Sequence, residues 1–139
     1  MTTLIGDPRV AAVVLLDNNE PLVDLHLGLE AESGERPKVR AGIAARLERA
    51  QQALPPGIRL HIVEGFRSPA DQLGIIDAYS AEVRRSHPCA DEIQLRRLTS
   101  RFVAPLDVAP HIAGAAIDVT LVDSDGCALW MGTEVDATP

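Results

Sequence analysis

Apolar and polar positions along the chain change their period several times, and each change predicts an element. Val10 to Leu16 is an unbroken apolar run of strand length, and Asp17-Asn18-Asn19 supplies the turn after it. Leu22 to Leu27 alternates less cleanly, and Glu30 to Pro37 is a polar loop holding a Gly and a Pro. From Val39 to Leu54 the apolar positions Val39, Ile43, Leu47, Ala50 and Leu54 recur at three- and four-residue intervals, with Arg and Glu on the opposite face. That spacing predicts an amphipathic helix, which Pro55-Pro56-Gly57 ends. Ile58 to Val63 is a strand rich in β-branched residues, closed by Gly65. Pro69 to Arg85 predicts a second helix with Leu73, Ile76, Tyr79 and Val83 on one face, and Asp91 to Phe102 a third helical piece. Pro105 to Pro110 reads as extended. Ala115 to Val122 is a strand, Ser124-Asp125-Gly126 a tight turn, and Ala128 to Met131 the return strand of a hairpin. Helices and strands in mixed order, without repeats or linkers, predict an α+β fold: a small antiparallel sheet with helices packed on one side.

A length of 139 residues fits a single domain spanning 1–139 with a core of its own. Only 3% of residues are aromatic, so that core is built from Leu, Ile, Val and Ala. The net charge of -7 leaves no basic stripe to displace counterions from a phosphate backbone, so nucleic acid is not an expected partner. The acidic excess serves solubility. The run at Val10–Leu16 is too short for an export signal or a membrane span. Cys89 and Cys127 form no Cys-x-x-Cys pair and no disulfide framework. Free thiols and the lack of an export signal predict a cytoplasmic protein with no membrane contact.

The candidate chemistry lies in Pro110-His111-Ile112-Ala113-Gly114-Ala115-Ala116-Ile117-Asp118. A His in a loop and an Asp on the following strand are both zinc-ligand types, and the small residues between them let two backbone segments approach closely. The same pair also fits a surface His and a hydrogen-bonded Asp. Arg67 follows the strand-end turn Glu64-Gly65-Phe66 and opens a helix at Ser68-Pro69, a place where loops carry function and a guanidinium could meet a carboxylate or an oxyanion. An ordinary solvated helix-start Arg fits as well, although the helix dipole disfavours a cation there. Glu64, His61, His26 and His87 are weaker candidates, with His61 reading as a packed strand residue. Asp136 alone carries no meaning.

Leu4-Ile5-Gly6-Asp7-Pro8-Arg9-Val10, Glu20-Pro21-Leu22-Val23-Asp24-Leu25, Val63-Glu64-Gly65-Phe66-Arg67 with Gln72, and His111-x-x-Gly114-x-Ala116-x-Asp118 occur in this order, followed by Met131-Gly132 and Asp136. In this order they resemble the D-alanyl-D-alanine dipeptidase family of zinc peptidases, related to the vancomycin-resistance dipeptidases and zinc D,D-carboxypeptidases. The resemblance covers essentially the whole chain. It implies that His111 and Asp118 bind one Zn2+, that Arg67 stabilises the tetrahedral intermediate, and that Asp136 holds the substrate ammonium of a small dipeptide.

In such relatives the third zinc ligand and the general base come from a Glu-x-x-His motif further on, and nothing in this chain matches it. Ala109 stands where a Ser is often found, and Arg67-Ser68-Pro69 replaces the usual Arg-Pro step. The expectation is therefore a dipeptidase-like domain truncated at its C-terminus. Its sheet face around Val119, Leu121 and Leu129 would need covering by a second copy or a companion C-terminal chain. Completed in that way, it would be a zinc metallopeptidase acting on D-alanyl-D-alanine or a similar dipeptide in cell-wall chemistry. Left incomplete, it would be a non-hydrolytic peptidase scaffold with a binding or biosynthetic role.

Overall fold

A computed structural model of the chain describes residues 3, 5–13, 18–27 and 37–133. Positions 14–17, most of the loop at 30–37, and Asp136 lie outside the described residues. In chain order the elements are α1 (Pro8–Ala11), β1 (Leu22–Asp24), β2 (Lys38–Arg40), α2 (Ala41–Ala53), β3 (Arg59–Glu64), α3 (Pro69–Ser86), α4 (Glu92–Thr99) and β4 (Asp118–Val122), with 3₁₀ turns at Leu106–Val108 and Pro110–Ala113. The fold is α+β, with two antiparallel ladders, β1 on β2 and β3 on β4. The chain divides into two compact units, Asn19–Phe66 with Gly114–Pro139, and Met1–Asn18 with Arg67–Ala113.

The first of these units holds both ladders and the main core, formed by Leu25, Val39, Leu47, Leu60 and Ile62 with Leu27, Ile43, Ala44, Leu54, Ile117 and Leu121 packed against it. The aliphatic composition therefore does form the core. Val39 sits at a helix-compatible interval from Ile43, yet it lies on β2 opposite Val23 and is 0% exposed. The helix α2 begins only at Ala41, because Arg40 is still extended (φ -61°, ψ 143°) and lends no side-chain cap. The Glu20 carboxylate does that work from outside the helix, accepting from Gly42 N at 2.5 Å, which satisfies an otherwise unpaired first-turn donor. At the other end of α2, Gln51 ties the helix to β3: its Oε1 accepts from Leu60 N (2.7 Å) and its Nε2 donates to Ile58 O (3.2 Å).

The hairpin after β4 is looser than its sequence predicts. Asp123 Oδ1 accepts from Asp125 N (3.0 Å) and Cys127 N (2.8 Å), which shapes the turn. The return segment then makes one bridge, Val122 with Ala128, and a Leu129 N to Leu121 O bond of 2.8 Å in place of a full strand. Of the sheet face expected to lie open, Val119 is 44% exposed, whereas Leu121 packs on the core.

In the helical unit, α3 starts as its sequence predicts: Ser68 is the N-cap, accepting from Asp71 N at 3.1 Å, and Pro69 fills the first turn. The inward stripe of α3 differs from the predicted one at its first position. Gln72 is 1% exposed and Val83 is buried, while Leu73 is 45% exposed. The spacing 72, 76, 79, 83 is itself helical, so the polar Gln72 takes the place expected of Leu73. The helix α4 opens with a capping box between Asp91 and Gln94. It meets α3 through Ser80–Thr99 (3.3 Å) and the exposed pair Arg84–Glu92 (2.7 Å).

Two predicted elements are different. The run at Val10–Leu16, expected as a strand, is helical at Val10 and Ala11 and turns at Ala12, because Asp7 caps α1 and Pro8 presets its first turn. The extended segment expected at Pro105–Pro110 is a pair of 3₁₀ turns, each entered through a proline.

Candidate metal centre

The site begins with a fault in the β3–β4 ladder. The register runs Arg59 with Val122, Leu60 with Leu121, His61 with Thr120 and Ile62 with Val119. A regular ladder would next set Val63 against Asp118. The register instead shifts between Ile62 and Glu64, and Glu64 pairs with Asp118. Val63 is the extra residue of a β-bulge, the kind of irregularity that re-aims a side chain beside a functional site. Directly opposed residues on one sheet face have Cβ atoms about 4.5–5.5 Å apart, so the bulge brings two carboxylates together.

Gly65 then lets the chain pass the backbone of β2. A Cβ at that position would stand 2.5 Å from Lys38 O, and Phe66 N donates to the same carbonyl at 2.6 Å. Arg67 N donates to His111 O at 3.2 Å. Gly114, at φ +67°, turns the segment after His111 toward β4, and its carbonyl accepts from Arg40 N at 2.8 Å.

Within the sheet unit, Glu64 and Asp118 face each other across the ladder, the first half-buried and the second exposed. In the helical unit, His111 is half-buried. Imidazole nitrogens and carboxylate oxygens are donor types that zinc accepts.

Arg67 is half-buried and held from its own helix: its Nη1 donates to Gln72 Oε1 at 2.6 Å, and Gln72 Nε2 donates to Ala104 O at 2.7 Å. A fully buried glutamine thus spans the guanidinium and a loop carbonyl.

Of the sequence candidates, Arg67 is tied to His111 through the backbone, and Asp118 pairs across the ladder with Glu64, ranked among the weaker candidates. The signal of Glu64 in the sequence was its place at a strand end just before Gly65. The other histidines lie elsewhere. His61 lies opposite Thr120 with a buried Nδ1 that has no hydrogen-bond partner, and His87 caps the end of α3, its Nδ1 3.2 Å from Val83 O. Cys89 and Cys127 are exposed free thiols. No helix among the described residues is long and apolar enough to cross a membrane.

The sequence matches no protein-family profile and no curated protein. Solved structures do share its fold. One is VanYB in complex with D-alanine-D-alanine, at TM-score 0.52 and 21% identity over 70% of this chain and 52% of that one. Another is a VanY D,D-pentapeptidase variant from a VanB-type vancomycin-resistance cassette, in complex with Zn(II), at TM-score 0.51 and 20% identity over 79% of this chain and 61% of that one. The chain thus has the α+β fold of VanY-type peptidases and spans less than two thirds of their length.

Proposed function

We propose that this chain carries the metal-binding part of a zinc-dependent peptidase that hydrolyses D-alanyl-D-alanine or a similar small dipeptide. A further segment, on the same polypeptide or on a partner, supplies the third zinc ligand and the general base. This reading is supported by the fold shared with a D-alanine-D-alanine complex and by the sequence resemblance, which assigns His111 and Asp118 to the metal and Arg67 to the oxyanion.

The division of labour follows from the donors. His111 offers a neutral nitrogen and Asp118 a carboxylate, and together they hold the metal. Zinc bound there would polarise the scissile carbonyl and activate water. Arg67 places a positive charge beside that carbonyl, where it stabilises negative charge developing on the oxygen. Comparable donors contribute about 3–4 kcal/mol to such a step. Gln72 keeps the guanidinium oriented in advance, so less reorganisation falls on the reaction itself. Asp136 attracts the ammonium group of the dipeptide. The Glu of a Glu-x-x-His segment takes the proton from water.

The test joins metal content with kinetics. The chain alone should bind zinc weakly, the protein with its completing segment should contain one zinc per chain by elemental analysis, and His111→Ala and Asp118→Asn should remove it. In the protein with its completing segment, Arg67→Ala should lower kcat by roughly 10²–10³ with little change in KM, the mark of an interaction made in the transition state. Zinc retained at full stoichiometry in His111→Ala would overturn the assignment.

A further inference from the structure

We infer that the helical unit carries a binding site of its own, a cleft along α4 that takes an amphiphilic organic anion: an apolar body bearing a phosphate or a carboxylate. The inference is independent of the metal reading above, and every residue that lines the cleft belongs to the helical unit.

Three observations carry it. First, α4 commits one stripe to α3 and leaves another uncovered. Arg84 meets Glu92 and Ser80 meets Thr99, and Leu95 and Thr99 are buried, so positions 92, 95 and 99 face α3. Ile93, Arg97 and Arg101 recur at intervals of four and form a second stripe. The turn is carried past Thr99 by Ser100 N bonded to Arg96 O (2.9 Å) and Arg101 N bonded to Leu98 O (3.3 Å), so Arg101 still belongs to it. Second, this stripe lines a cleft of about 1160 Å³, roomy enough for an organic molecule. Residues 6–8 line it as well, and they reach the end of α4 because a glycine stands there: a Cβ on Gly6 would lie 2.7 Å from Ser100 Cβ. Third, the cleft runs against the charge of the chain. The net charge is -7, yet Arg96, Arg97 and Arg101 all line this one surface. Asp7 is the one acid along it, and its carboxylate is engaged by the Arg9 side chain at 2.9 and 2.8 Å. Among the described residues no carboxylate pairs with Arg97 or Arg101. Arg101 lies instead over the Phe102 ring, 5.9 Å from its centroid.

The helix dipole accounts for Arg96 and Arg97 in the last turn of α4. It does not account for the side chain one turn before them. Ile93 is 80% exposed, the most exposed large apolar side chain among the described residues. An apolar side chain followed one and two turns later by guanidinium groups matches a ligand with both characters. Its acid group meets the planar forks, whose donors fit phosphate and carboxylate oxygens in pairs, and its apolar body covers Ile93.

The test titrates the ¹⁵N-labelled 139-residue chain with 1-naphthyl phosphate and, separately, with 1-naphthylacetate, reading amide shifts and calorimetric Kd. At least one of the two should bind with Kd below about 1 mM and shift the amides of Ile93, Arg97 and Arg101; which one binds tighter tells which acid the site takes. Neutral 1-naphthol and inorganic phosphate, each lacking one of the two characters, should bind at least about tenfold more weakly. Arg97→Gln and Arg101→Gln should each weaken the tighter probe about tenfold, the loss of one charged hydrogen bond. Ile93→Ser should weaken it about fivefold, through lost apolar burial, and leave inorganic phosphate unchanged. All three positions are exposed, so the variants should melt with wild type. No shift along α4 with either probe up to about 1 mM would overturn the proposal. So would 1-naphthol or inorganic phosphate binding as tightly as the naphthyl anions, or wild-type affinity in both arginine variants.

Discussion

Replacing Gln72 by Met removes the two hydrogen bonds that hold Arg67 to its loop, and the cost can be worked out from their geometry. Gln72 is 1% exposed. Its Oε1 accepts a charged bond from Arg67 Nη1 at 2.6 Å, and its Nε2 satisfies Ala104 O at 2.7 Å. Charged hydrogen bonds contribute about 1.5–3 kcal/mol and neutral ones about 1 kcal/mol, and a carbonyl left buried without a partner costs about 1–3 kcal/mol. Arg67 is half-buried, so water replaces part of its lost bond and the lower end applies to it. Met fills a similar volume and gains about 1–2 kcal/mol from apolar burial. The net expectation for Gln72→Met is a loss of about 2–3 kcal/mol. In a chain of this length that lowers Tm by roughly 6–10 °C. Urea denaturation should show a lower midpoint at unchanged slope, since the surface exposed on unfolding is the same. A double-mutant cycle with Arg67→Ala should return a coupling of about 1–2 kcal/mol between the two side chains. Gln72→Met within about 0.5 kcal/mol of wild type, the spread of ordinary surface substitutions, would refute the reasoning, as would a coupling of zero.

Two further outcomes follow from local geometry. Gly65→Ala places a Cβ 2.5 Å from Lys38 O, and backbone cannot yield as a side chain can; overpacking of this kind costs about 1–3 kcal/mol. A thermal melt equal to wild type would mean that residues 64–67 are not pinned as described. Asp7 accepts from the Arg9 side chain at 2.9 and 2.8 Å and from Arg9 N at 2.9 Å; the side-chain bonds first, and the backbone bond after them, hold its carboxyl down at about 2. Because the folded value is depressed, whatever stability this cap lends α1 is present above the ordinary value of 3.8 and is lost as pH falls through about 2. Carboxyl NMR should show Asp7 titrating near 2, and near its ordinary value in Arg9→Ala; titration of wild type at the ordinary value would refute the pairing.

Much of the helical framework was legible because it is written in local chemistry. Ser68-Pro69 announces α3, and Asp91 with Gln94 announces α4 through groups only three residues apart. The strand β3 was legible from its β-branched run, and its core residues Leu60 and Ile62 are buried where alternation puts them. Errors arose where one pattern serves two structures. The run at Val10–Leu16 fits a strand by hydropathy, but Asp7-Pro8 is a helix start, and over the described residues the local cap wins. Val39 fits the stripe of α2 equally well as a helical or a strand residue, and only its pairing with Val23 decides. Gln72 was hidden for a different reason. A polar residue on the inner stripe of a helix looks like a break in the pattern unless both of its amide groups are known to find partners, and those partners lie at Arg67 and Ala104.

The candidate site divides along the same line. His111, Asp118 and Arg67 stood out as candidates because each sits in a short segment whose turn and small residues mark it without reference to any distant part of the chain. Glu64 stood out less, because its pairing with Asp118 is a relation across the ladder. In a ladder without the bulge, the residue opposite Asp118 is Val63, an apolar side chain that offers no donor. One inserted residue exchanges that valine for a carboxylate. Such an insertion leaves no trace in composition or in hydropathy period, since Val63 is as β-prone as its neighbours and Glu64 looks like an ordinary polar strand end.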